Sequence, residues 1–137
     1  MFHTRIQVQK GQIYMVEVRE ETELKTMKDL CNFVKKEIDG NKCKECEDKI
    51  CQAMAKFPEA PEPQNLWGIF LEKEGNHRKA MRHFRASLDL SPTYRPANQN
   101  LQLFGELFCP NKLFAFMEED CIRLENDEVK AHVERIY

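Results

Sequence analysis

The chain has 137 residues, of which 42% are hydrophobic and 32% are charged, with only 5 Gly and 6 Pro. This composition is typical of one globular domain with a helical bias and is too hydrophobic for a disordered chain. The net charge of −2 excludes an overall field that would attract nucleic acid or an anionic membrane, so any charge-dependent function must be local.

The sequence lacks the long apolar segments that target or anchor a protein. Its first residues never reach the apolar run of a signal peptide, and no later stretch approaches the roughly 18 apolar residues of a spanning helix. We therefore expect a cytoplasmic protein with no membrane partner. In that compartment, the 6 Cys favour reduced thiols or a metal site over a disulfide scaffold.

Residues 1–20 predict an N-terminal β-hairpin or an extension. Apolar residues alternate with polar ones on both sides of a turn at 10–12: Ile6, Val8, Tyr14, Val16 and Val18. Because a lone two-stranded hairpin is marginal in water, it must pack on helices, pair with another chain or be poorly ordered. A homo-oligomer formed through this hairpin or through the terminal helices is therefore an open alternative.

Residues 21–137 predict a helical domain. Apolar residues recur at helical spacing, and the stretches end at Gly, Pro or Asn. The predicted helices cover residues 22–38, 46–57, 64–74, 77–90, 96–107 and 113–124. A short helix over 127–136 is expected to cap the C-terminal end.

An internal repeat appears when the sequence is shifted by 34 residues. Cys46 then aligns with Ala80, and Pro58 aligns with Pro92. The aligned residues preserve size and polarity, as expected of stacked units whose buried positions meet equivalent neighbours. The most regular unit, residues 61–94, has small and bulky residues at fixed places: Trp67, Gly68, Leu71, Gly75, Ala80, Phe84 and Pro92.

In this pattern the unit resembles a tetratricopeptide repeat (TPR), although Ser87 and Gln64 depart from the family's usual residues. Residues 27–60 match mainly in their second helix, and residues 95–107 match as a first helix. The resemblance implies a mainly α fold: a TPR-like α-solenoid of about three helix pairs with capped ends, preceded by the hairpin.

The resemblance also implies that this is a non-catalytic adaptor or scaffold that binds another protein or peptide. In such arrays the first helix of each pair lines a concave groove. Carried onto this sequence, the groove presents Lys35, Asn65, Ile69, Glu72, Lys73, Gln99 and Leu103, together with Cys31, Ile38 and Glu106. This mixed set favours a ligand with apolar and polar parts over a C-terminal carboxylate. Alternatively, the protein's own terminal helices fill part of the groove.

Four cysteines leave a metal site open as an alternative. Four thiolates can close a tetrahedral zinc site, and the candidates are Cys31, Cys43, Cys46 and Cys51. If one helix carries Cys46 and Cys51, their thiols point about 140° apart and cannot meet on one ion. Cys46 also aligns with Ala80, where packing requires a small residue. Structural thiols and no cofactor are thus predicted, with a zinc-stabilised or metal-sensing protein as the alternative.

A basic helix gives a third alternative, a nucleic-acid accessory protein. Residues 78–85 carry Arg78, Lys79, Arg82 and Arg85. No aromatic residue is interleaved on that face, as it usually is in single-strand binders, so nucleic acid is the less favoured partner. The acidic stretch 118–128 can complement these cations within or between molecules. Catalytic motifs such as a glycine-rich phosphate loop, HExxH or GxSxG are missing, so no enzyme is predicted.

Overall fold

The structure, a computed structural model, describes residues 2–38, 44–105 and 113–121. Within these residues the chain forms two strands, five α-helices and a short 3₁₀ helix. The elements in chain order are β1 (Phe2–Gln9), β2 (Gln12–Arg19), α1 (Glu21–Glu37), α2 (Lys44–Lys56), α3 (Pro61–Lys73), α4 (His77–Leu90), α5 (Arg95–Gly105) and the 3₁₀ helix (Glu118–Asp120). The prediction of a mainly helical fold with an N-terminal hairpin is confirmed.

The hairpin turns at the predicted place. Gln9 lies opposite Gln12, and the two residues between them have positive φ, 52° at Lys10 and 75° at Gly11. This is the turn that matches the right-handed twist of two paired strands. The strands leave an apolar face open to solvent, because Ile6 is 67% and Val8 is 70% exposed.

An ion-pair cluster at the end of β2 joins the hairpin to the helices. The guanidinium of Arg19 donates one hydrogen bond to Glu23 of α1, at 3.0 Å, and another to Glu62 of α3. The three side chains are largely buried. Since separating buried opposite charges is costly, this cluster fixes the start of α1 against the start of α3.

Two of the predicted helices depart clearly from the structure, while the other described boundaries agree within two residues. Helix α3 begins at Pro61, not at residue 64, because the first turn of a helix needs no amide donors and tolerates both Pro61 and Pro63. The predicted helix over 113–124 is wrong in its described part, since residues 113–117 are irregular and only the 3₁₀ turn follows. Residues 106–107 of the predicted fifth helix, residues 122–124 and the predicted cap over 127–136 lie outside the described residues.

The helices pack mainly on their neighbours in sequence. Helix α3 packs on α2 and α4, α4 packs on α5, and α1 contacts both α2 and α3. Gly68 of α3 lies under the ring of Phe84 of α4, where a Cβ atom would come within 2.5 Å of Cε1. Helix α3 ends at Lys73 and is closed by Gly75, whose φ of 85° places its amide and that of Asn76 on the last carbonyls of the helix. No helix in the described ranges is long and apolar enough to cross a membrane.

The lowered pKa of His83 makes the stability of the folded protein depend on pH. Burial of the imidazole, with a contribution from Lys79, lowers its pKa below the usual 6.5. The unfolded chain then binds more protons than the folded one, so stability is greatest above pH 6.5 and falls as the pH drops through the folded pKa. We expect His83→Gln, which retains a polar group beside Gln64, to lose less stability than wild type between about pH 7.5 and about pH 5. Urea denaturation at each pH measures this, and equal losses would contradict it.

Candidate functional site

The candidate site is the face formed by α1, α3 and α5, here called the α1/α3/α5 face, and it is covered by residues 113–121. Ala115 is the most buried residue of this 113–121 segment, with no exposed surface. Its carbonyl oxygen accepts hydrogen bonds from the side-chain amides of Asn65, at 2.9 Å, and Asn100, at 2.8 Å. Its N–H donates to Oδ1 of Asn100, also at 2.8 Å. Two helices thus hold the backbone of one residue through side-chain amides.

The two asparagines also hold each other in place. Nδ2 of Asn100 donates to Oδ1 of Asn65 at 2.9 Å, and both side chains are 0% exposed. An unpaired amide in such a position would cost free energy, so the pair and the peptide group of Ala115 complete one another. These bonds also explain why residues 113–117 are not helical. The peptide groups of residues 115–117 bond to the side chains of Asn65, Asn100 and Asp120, which compete with helical hydrogen bonds.

Aromatic contacts anchor the segment on either side of Ala115. The ring of Phe114 stacks on Phe104 of α5, with 4.5 Å between centroids, and Nζ of Lys73 lies 5.6 Å from its centroid. Phe116 is only 8% exposed and belongs to the main hydrophobic core. The segment is therefore held by apolar burial as well as by hydrogen bonds.

A carboxylate fixes the end of the segment. Oδ2 of Asp120 accepts hydrogen bonds from the amides of Phe116, at 3.1 Å, and Met117, at 3.2 Å. Its Oδ1 accepts a hydrogen bond from Nζ of Lys35 on α1. The side chain of Asp120 is 13% exposed, whereas the neighbouring Glu119–Lys28 pair is exposed at both ends. Asp120 therefore contributes the stronger ion pair, since exposed pairs add little.

Three of the groove residues predicted from the sequence meet the segment: Lys35, Asn65 and Lys73. The others have different surroundings. Ile69 is fully buried, Leu103 packs against the core, and Glu72 accepts a hydrogen bond from His77 at 2.9 Å. Gln99 is partly exposed on α5. Cys31 and Ile38 are buried, and Glu106 lies outside the described residues.

Neither Asn100 nor the segment itself was predicted from the sequence. The 34-residue period aligns Asn65 with Gln99, one residue before the asparagine that Asn65 contacts. A signal was present, because an asparagine between Ala97 and Leu101 is unfavourable inside a helix unless its side chain has a specific partner. Residues 113–121 were predicted to be helical because the spacing of their apolar residues fits a helix as well as an extended chain on a hydrophobic face.

Comparison of the chain with protein-family models gave no match, and comparisons with curated proteins and with solved structures gave none either.

The candidate zinc ligands are not gathered into one site in the described part of the chain. Cys46 is fully buried and Cys51 is exposed, and both lie on α2, so their thiols point in different directions. Cys31 lies on α1, and Cys43 is outside the described residues. No group of three or more His, Cys, Asp or Glu side chains among the described residues is placed to hold a metal ion.

The pKa of Cys31 opposes a role as a nucleophile. Burial, together with the charges of Glu62 and Asp120, raises the pKa of its thiol to about 12. Burial and the charge of Glu118 likewise raise the pKa of Cys121, to about 11. A cysteine attacks as its thiolate, so neither thiol is activated as a nucleophile at neutral pH.

We expect alkylation to distinguish these thiols. Iodoacetamide at neutral pH should modify the exposed Cys51 before the buried Cys31 and Cys46, because modification requires access as well as a thiolate. Mass spectrometry of tryptic peptides at successive times measures the order. Prior modification of Cys31 would contradict the burial of its thiol, and added zinc that protected Cys51 would support the metal alternative.

The basic residues of α4 form an exposed stripe: Arg78, Lys79, Arg82 and Arg85. Residues 118–120 were expected to pair with these cations. Their carboxylates contact Arg95, Lys28 and Lys35 instead. The rest of the acidic stretch, 122–128, lies outside the described residues. The nucleic-acid alternative predicts binding to a mixed RNA pool that falls steeply with salt.

An open cleft of about 340 Å³ lies between α1 and α2. Its lining is largely apolar, with Met27, Leu30 and Phe57 among its walls. Nζ of Lys49 lies 3.9 Å from the ring centroid of Phe33 at this cleft. Asp29, Lys49 and Lys56 also line this cleft, but the α1/α3/α5 face, where Asn65 and Asn100 hold a peptide group, is the stronger candidate site.

Proposed function

We propose that this protein is a non-catalytic protein-interaction module. In this proposal its helices form a TPR-like array of about three pairs, and the α1/α3/α5 face binds an extended segment of a partner protein. The close approach of Gly68 to Phe84 supports the repeat assignment, because the repeat needs a small residue where paired helices are nearest. The contact of α1 with both α2 and α3 supports stacking of successive pairs.

The observation that carries the function is the way in which residues 113–121 are held. Asn65 and Asn100 come from different helices and satisfy the N–H and C=O of a non-helical residue. Backbone hydrogen bonds combined with pockets for side chains are a general means of binding an extended peptide. A surface that holds its own chain in this way has the groups needed to hold another.

The groups at this face bind and do not react. Its polar members are two neutral amides and the Lys35–Asp120 ion pair, and each has a hydrogen-bond partner. The buried thiol of Cys31, with its pKa raised to about 12, is protonated at neutral pH. These properties favour recognition over catalysis.

Site-specific photocrosslinking tests the proposed function. A photoreactive amino acid is placed at Lys73, beside the segment, or at Lys79, an exposed control position on α4. The full chains are irradiated in a soluble cell extract, and crosslinked peptides are sequenced. We expect defined partner segments to be captured from position 73 and not from position 79. Capture from position 79 alone, or from neither position, would contradict the proposal.

A further inference from the structure

The internal segment indicates what kind of partner the site selects. Resting on the proposed function, we propose that the α1/α3/α5 face binds an extended segment with a small residue between two aromatic residues and a carboxylate a few residues later. We further infer that residues 113–121 compete with this partner segment for the same position. The inference concerns the chemistry of the ligand, which the proposed function leaves open.

The small residue is required at the position of Ala115. Asn100 bonds both backbone groups of this residue at 2.8 Å, and the residue is 0% exposed. The side chain therefore lies against protein with no route to solvent. A longer side chain would have to displace packed atoms or break the bonds to Asn65 and Asn100.

Aromatic residues fit the positions on either side. Phe114 stacks on Phe104 with the two ring planes 12° apart, while Phe116 is buried in the core. The rings of Phe114 and Phe116 also meet edge to face, with 6.2 Å between centroids. Offset and edge-on ring contacts are favourable beyond the area that they bury, so these positions favour aromatic over aliphatic side chains.

Lys35 recognises the carboxylate through an ion pair. The bonds of Asp120 to the amides of Phe116 and Met117 turn its side chain back over the segment, and the ammonium group of Lys35 meets the other carboxylate oxygen. An amide in place of this carboxylate would keep part of the turn and lose the charge pairing. The site thus discriminates by charge at this end and by size at Ala115.

Competition follows from the connection of the segment to α5. A tethered ligand has an effective concentration on the order of millimolar, so it weakens binding of an identical free segment. The segment's only regular structure is the turn at Glu118–Asp120. Its place therefore depends on the face on which it lies, and a partner segment with the same groups can replace it.

Fluorescence anisotropy with a labelled peptide tests both the proposed ligand chemistry and the competition by residues 113–121. The peptide has the sequence of residues 113–121 with serine at the final cysteine, and it is titrated with full-length wild type, Ala115→Leu and Asp120→Ala chains. We expect Ala115→Leu to release the tethered segment and bind the peptide about 10-fold more tightly than wild type. Asp120→Ala should give a smaller increase. Helicity measured by circular dichroism reports folding, and Asp120→Ala decides the result if Ala115→Leu fails to fold.

Matched peptides test selectivity. A peptide carrying Ala115→Leu should lose binding, and one carrying Asp120→Asn should bind several-fold more weakly. Equal affinity of the peptide for wild type and for both variants would overturn the competition. Equal binding of all peptides would overturn the selectivity. If no peptide binds a folded variant while position 73 still captures a partner, this inference fails and the proposed function stands.

Discussion

Replacement of Asn100 by alanine is expected to destabilise the protein by about 2–4 kcal/mol and to release residues 113–121 from the helices. The variant removes the acceptor for the amide of Ala115, one of the two donors to its carbonyl group, and the donor to Asn65. Either these buried groups stay without partners, or the segment leaves and exposes Phe116. Both outcomes lower the free energy of unfolding.

Two measurements on Asn100→Ala separate the global effect from the local one. Urea denaturation gives the change in stability, and hydrogen exchange gives the protection of the amide of Ala115. Asn98→Ala is the matched control, because Asn98 lies on the same helix with an exposed side chain. We expect this control to change stability by less than about 0.5 kcal/mol. Unchanged protection of Ala115 in Asn100→Ala would show that the asparagine does not hold the segment.

Replacement of Gly68 by alanine is the second large effect that we expect. The new Cβ would lie 2.5 Å from Cε1 and 2.6 Å from Cδ1 of Phe84, a ring that is fully buried. Overpacking of this kind costs about 1–3 kcal/mol, while alanine gains about 1 kcal/mol in helix propensity. We therefore expect a net loss of up to about 2 kcal/mol in thermal or urea denaturation.

A second glycine and a double mutant test this explanation. Gly105, at the end of α5, has open space around its position, so Gly105→Ala should be neutral or stabilising. In a Phe84→Leu background, Gly68→Ala should cost less than in wild type, because the ring that it meets is absent. Equal costs in the two backgrounds would mean that contact with Phe84 is not the cause.

Local patterns predicted the fold well. Regular hydrophobic spacing located all five helices of the described residues, with the start of α3 placed three residues late, and the Lys10–Gly11 turn located the hairpin. The resemblance to a TPR named Gly68 and Phe84 among the fixed small and bulky positions of residues 61–94, and the structure places the two in contact. These features depend on residues close in sequence or on repeated packing positions, which leave a pattern that can be read directly.

The site was less predictable because it depends on contacts between distant residues. Asn65 and Ala115 are separated by 50 positions, and nothing in the apolar spacing of 113–121 distinguishes a helix from a chain held by outside amides. Lys35 was identified through the resemblance, but its partner Asp120 was placed in the acidic stretch that can complement the basic residues of α4 within or between molecules. Tertiary hydrogen bonds decided these positions against local propensity.

Zero-length crosslinking tests the central claim that residues 113–121 occupy the α1/α3/α5 face. A carbodiimide joins a carboxylate to an amine only when the two are in contact. The account predicts a link between Lys35 and Asp120 in the monomeric full-length chain, read by mass spectrometry, and its loss in Asn100→Ala. The exposed Lys49–Glu45 pair within α2, at 3.7 Å, is the internal control and should link in both chains. A Lys49–Glu45 link without a Lys35–Asp120 link in wild type would contradict the account.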